Sequence, residues 1–146
     1  MKQFGYCIWL HVHEPDSIYK ADFPLHLTLE RDINNLEDAM VRYSFWKENI
    51  KSPLHCRFDK MYNEYEDNFA ALYYFINILD EKPNWWHEDA HVSLKYQYDK
   101  EITIEEKHES LHGKTLVLDK VSLFYCNEHY SNWKEIAVEN KVKILF

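Results

Sequence analysis

Glycine is almost missing from this chain, which has Gly5 and Gly113 and no others. Phosphate-cradling loops need glycine wherever the backbone closely approaches the anion, so a P-loop and a dinucleotide-binding fingerprint are both excluded. No apolar run nears the roughly 18 residues that a membrane-spanning helix requires, and no leader-like segment opens the chain. The expectation is a protein without membrane contact. Positive charge is also short: 17 Lys and Arg stand against 25 Asp and Glu, for a formal net charge of −8. That sign opposes a grip on the backbone of long nucleic acid, which needs a basic face. A small nucleotide or short oligonucleotide stays compatible, with Arg31, Arg57, Lys95 and Lys134 as sources of local positive charge. Cys7, Cys56 and Cys126 are odd in number and lie apart in apolar stretches. They read as reduced core residues of a cytoplasmic protein, not as a disulfide framework.

What the chain has in quantity is aromatic side chains, 16% of a length of 146. That length suits a single domain, 1–146, whose core needs no disulfide support. Hydrophobic patterning predicts strands over 4–12 and over the run that starts at Pro24, then a helix over 35–48 with Asn35 at its start. Strands over 54–62 and 69–79 follow, joined by a turn at Asn63-Glu64-Tyr65-Glu66-Asp67. A tryptophan-bearing loop spans 80–88, a strand spans 90–98, and Thr103-Ile104-Glu105-Glu106 opens a short helix over 104–112 that Gly113 stops. Strands over 115–126 and 133–138 come next. After Glu139-Asn140-Lys141 a last strand alternates Lys141 and Lys143 with Val142 and Ile144. The fold class is α+β, mostly antiparallel, and its two halves repeat one order of elements.

Two segments in opposite halves are built alike: Pro24-Leu25-His26-Leu27-Thr28-Leu29-Glu30 and Asp89-Ala90-His91-Val92-Ser93-Leu94-Lys95. Side chains alternate faces along a strand, so His26 and Thr28 share one face, and His91 and Ser93 share one face, each backed by aliphatic neighbours. Two imidazoles aimed at one point can act as general base and general acid, because histidine exchanges protons near neutral pH. Two adjacent hydroxyls can donate to the non-bridging oxygens of a phosphate, where charge builds in the transition state. The four groups suit in-line displacement at phosphorus without a metal or other cofactor.

In His26-Leu27-Thr28 and His91-Val92-Ser93 the chain resembles the two-histidine (2H) phosphoesterase superfamily, whose signature is a pair of His-x-Thr/Ser motifs on strands with apolar flanks. That resemblance implies two antiparallel sheet lobes related by a pseudo-twofold repeat, with helices outside and a central groove. It implies a phosphodiesterase acting on cyclic nucleotides or short oligonucleotides, with His26, Thr28, His91 and Ser93 catalytic. Substrates in the family include 2′,3′-cyclic phosphates, 2′-5′ oligoadenylate and the cyclic oligonucleotide signals destroyed by phage enzymes. The alternative is a nucleotide-binding or sequestering module that keeps the groove without turnover.

Further substrate contacts are expected around these motifs. Trp9 or Tyr6 on the first strand can form a nucleobase wall, the alternative being plain core packing. Lys95 shares the parity of His91 and can lean toward the phosphate. Tyr96 follows His91 at a distance where some relatives place a substrate-contacting aromatic, although strict alternation turns it toward the core. Glu30 shares the parity of His26 but lies too far along the strand to orient it. His11 with His13, His87 with His91, and Cys126 with His129 have spacings that zinc tolerates, but no CxxC or HExxH accompanies them, so no metal site is expected. His108 and His112 read as solvent-exposed.

Overall fold

The computed structural model describes residues 4–127, 129–138 and 141–142, and antiparallel strands dominate it. The strands are β1 (Tyr6–Val12), β2 (His26–Ile33), β3 (Leu54–Glu66), β4 (Phe69–Ile78), β5 (His91–Tyr98), β6 (Thr115–Tyr125), β7 (Lys134–Val138) and β8 (Lys141–Val142). Helix α1 (Leu36–Asn49) follows β2, and the one-turn helix α2 (Glu106–Glu109) precedes β6. The rest of the expected last strand, with Lys143 and Ile144, and the turn at Glu139-Asn140 lie outside the described residues. No helix among the described residues is long and apolar enough to cross a membrane.

Strand order β1-β2-β5-β4-β3-β6-β7-β8, with β1 also paired to β6, makes a ring of six strands from which β7 and β8 extend. The joints of that ring are unequal. β3 and β4 pair from Cys56↔Ile78 to Glu66↔Phe69, and β1 and β6 pair along their length, whereas β2 and β5 meet through Leu27↔Val92. The β3–β4 hairpin turns on Asp67 and Asn68, both at positive φ (52° and 60°), which suits the two-residue primed turn that matches strand twist. The turn therefore lies at the end of the expected Asn63–Asp67 segment, and β3 runs through Glu66.

Alternation sorts each strand into two faces. Ile8, Leu10 and Val12 of β1, Ala70, Leu72, Tyr74 and Ile76 of β4, and Val92 and Leu94 of β5 join the main core. Helix α1 packs there, against β1, β2 and β6, burying Ala39, Tyr43 and Trp46. Its start is the expected one: Asn35 Oδ1 accepts from the Asp38 backbone N–H at 2.8 Å, and Glu37 and Asp38 occupy the first turn. Arg42 Nε and Trp46 Nε1 of α1 donate to the Glu30 carboxylate at 2.9 and 3.0 Å, tying the helix to β2. Glu30 is thus engaged with α1 and does not orient His26.

Helix α2 is shorter than expected, and it corrects the placement of His108. Glu105, not Thr103, is the N-cap. Its backbone N–H donates to His108 Nδ1 at 2.9 Å, while His108 Nε2 meets the Tyr19 hydroxyl at 3.1 Å. A ring with both nitrogens satisfied can be buried without penalty, and His108 is fully buried. Burial holds its pKa below the usual histidine value.

Candidate active site

The second face of the sheet lines a cavity of about 580 Å³, within the size range of small-molecule sites. His26, Thr28, His91 and Ser93 all line it, with Trp9 and Tyr96. His26 and Thr28 arrive on β2, opposite His11 and Trp9 of β1. His91 and Ser93 arrive on β5, opposite Phe75 and Tyr73 of β4.

The two histidines are held in the same way. His26 Nδ1 donates to the carbonyl of Pro24 at 2.6 Å, and His91 Nδ1 donates to the carbonyl of Asp89 at 3.0 Å. Each acceptor lies two residues upstream. A carbonyl can only accept, so Nδ1 carries the proton and Nε2 holds the exchangeable position in both rings. Their surroundings then diverge. His26 is 4% exposed and stacks on Trp9, with centroids 3.5 Å apart and planes 10° from parallel. Burial pushes its pKa down to about 3, with the nearby His11 and His91 pressing the same way and the Pro24 carbonyl opposing. His91 is exposed, with Tyr73 at 4.8 Å and Phe75 at 6.3 Å between centroids.

Trp9 lies on the cavity side, as expected, but is not a free base platform. His26 covers one face, and Phe124 stacks on it with centroids 4.1 Å apart. With a partner on either side, Trp9 serves as the bed of the imidazole. Tyr6 falls on the opposite face of β1, against the main core and Tyr125, because alternation separates it from Cys7, Trp9 and His11. Lys95 is likewise displaced from the cavity lining. A bulge between the pairs Leu72↔Lys95 and Tyr73↔Ser93 places an extra residue on β5, and a bulge reverses the alternation beyond it. The same bulge returns Tyr96 to the face of Ser93. Its ring stacks on Phe23 at 4.8 Å, and burial raises its pKa to about 12, with the nearby Ser93 side chain opposing.

Several lining residues carried little signal in the sequence. Tyr73 and Phe75 stand out only as the aromatic members of an alternating strand, and the Tyr73 hydroxyl donates to Glu64 Oε1 at 2.6 Å. Glu64, Glu66 and Asp89 give the lining an acidic bias, and Arg31 is its one cation among the described residues. His11 hydrogen-bonds Ser122 on β6, and burial pushes its pKa down to about 4. Cys7, Cys56 and Cys126 are buried free thiols. No group of three or more His, Cys, Asp or Glu among the described residues is placed to hold a metal ion. Compared with known proteins, the chain matches no family model and no curated sequence.

Proposed function

We propose that this protein is a metal-independent phosphodiesterase of the two-histidine type, acting on nucleotides or short oligonucleotides. One observation carries the proposal: both His-x-Thr/Ser pairs line a single cavity, with both histidines anchored through Nδ1 to a carbonyl two residues upstream. The thin β2–β5 junction supports a two-lobed arrangement in which that cavity is the groove, with β2-β1-β6 on one side and β5-β4-β3 on the other.

Roles follow from burial. His26, neutral across the physiological range, is the general base: its Nε2 takes the proton of the attacking hydroxyl or water as the new O–P bond forms. The exposed His91 is the general acid, giving a proton from Nε2 to the departing oxygen as the old O–P bond breaks. The reaction consumes no net proton. Thr28 and Ser93 donate to the non-bridging oxygens. With Arg31 opposed by several carboxylates in the lining, the site fits a short substrate better than a long polyanion.

The test is His26→Ala and His91→Ala against a panel of 2′,3′-cyclic nucleotides, 2′-5′ oligoadenylate and cyclic di- and trinucleotides. Each substitution removes a proton-transfer group worth roughly 10²–10⁴-fold, so kcat falls by at least about a hundred-fold with circular dichroism unchanged. Wild-type activity persists in excess EDTA. A nucleotide that binds tightly but is never turned over points instead to the sequestering module.

A further inference from the structure

Trp85 and Trp86 take no part in the chemistry above. They line a side cavity of about 100 Å³ with Trp46, Leu27 and Ala90. Thr28, Leu29, Asp89 and His91 line both cavities, so the side cavity opens beside the proposed acid. His91 thus has aromatic surface on two sides: Tyr73 and Phe75 in the main cavity, and the tryptophans in the side cavity. The indoles form an angular frame, with Trp46 and Trp85 at 5.3 Å and 88° and Trp85 and Trp86 at 6.0 Å and 50°.

The loop that carries them is pinned in place. Asp80 accepts from the His55 backbone N–H at 2.7 Å and from its ring at 3.0 Å, Lys82 pairs with Glu88 at 2.8 Å, and Trp86 N–H donates to the Pro83 carbonyl at 3.1 Å. A prebuilt aromatic recess costs a ligand little ordering. Its volume suits a planar ring and not a whole nucleotide, so whatever enters must leave its phosphate at Thr28 and His91.

We infer that the side cavity seats the nucleobase on the leaving side of the scissile phosphate. The preferred substrate then has a base on both sides of the bond, as in a dinucleoside phosphate or cyclic oligonucleotide, and not in a 2′,3′-cyclic mononucleotide. The inference rests on the proposed phosphodiesterase activity and names its substrate class.

The experiment measures kcat/KM of the full chain for 3′-5′ ApA, 2′-5′ ApA, cyclic di-AMP and adenosine 2′,3′-cyclic phosphate. Wild-type protein should prefer at least one two-base substrate. Trp85→Ala or Trp86→Ala should lower the ratio of two-base to one-base kcat/KM by about ten-fold, mostly through KM, as expected for losing one stacked base. The ratio is taken within one preparation, so partial misfolding cancels. A preference for the cyclic mononucleotide, or ratios that both substitutions leave alone, overturns the inference while leaving the phosphodiesterase standing. Turnover of none of the four removes both, unless tryptophan fluorescence still reports ApA binding that Trp85→Phe or Trp86→Phe weakens. In that case the subsite stands on a binding module.

Discussion

His26 combines two demands that pull against each other. A base needs access to its substrate, yet this ring is almost wholly buried, stacked on Trp9 and neutral down to about pH 3. The half-buried His11 adds a second ring held neutral down to about pH 4. Both sit near 6.5 in the unfolded chain, so between those values the unfolded state binds more protons, and stability falls as pH falls. The contribution is fully present above about pH 6.5 and is lost as pH falls to about 4 for His11 and about 3 for His26. At pH 5 each ring costs about 2 kcal/mol relative to neutral pH. Urea unfolding at pH 7.5 and pH 5 should show this loss, and His26→Gln should shrink the difference by about 2 kcal/mol. An unchanged difference would mean that His26 is solvated and that Trp9 does not shield it. Catalysis should show the matching tolerance: kcat/KM survives acidification to about pH 4 on the base side.

Elements explain why parts of the site were legible and others were not. The His-x-Thr/Ser spacing puts both functional groups of each motif on one face whatever the rest of the chain does, so those four residues were readable from strand geometry. Lys95 and Tyr96 were not, because their faces depend on a bulge that no local turn residue announces. The burial of His108 was hidden for a similar reason: it depends on Tyr19 and on the Glu105 backbone, and distant partners are invisible in a helical spacing. The bulge gives a paired prediction. Deleting Lys95 restores regular alternation with Leu94 still facing the core and Tyr96 still facing the cavity, so folding and activity should largely persist. Deleting Leu94, which is 1% exposed, moves Lys95 into its core position. Losing a buried leucine costs roughly 2–5 kcal/mol before any lysine desolvation, so thermal unfolding should show a drastically weakened or unfolded protein. Equal behaviour of the two deletions would contradict the bulge.

At the scale of the molecule, the spacing between His26 and His91 depends on the weakest joint of the ring. The strands that carry them pair through Leu27↔Val92, so backbone hydrogen bonds contribute little to holding the proposed base and acid in register. Side chains beneath the joint hold them instead, since Leu27 and Val92 are 5% and 0% exposed, within the main core. Catalytic alignment tolerates little error, and a displacement of about 1 Å costs on the order of a hundred-fold. Truncation at the joint should therefore damage activity beyond its effect on stability. Val92→Ala should lower kcat by about ten-fold or more even well below its melting temperature. Leu116→Ala, which opens a cavity where β6 pairs with β3, should cost comparable or greater stability with a much smaller change in kcat. Proportional losses in the two variants would place the alignment of the histidines in the sheet as a whole. A selective loss in Val92→Ala assigns it to the packing under one joint, and makes that joint the place where the cavity closes on its substrate.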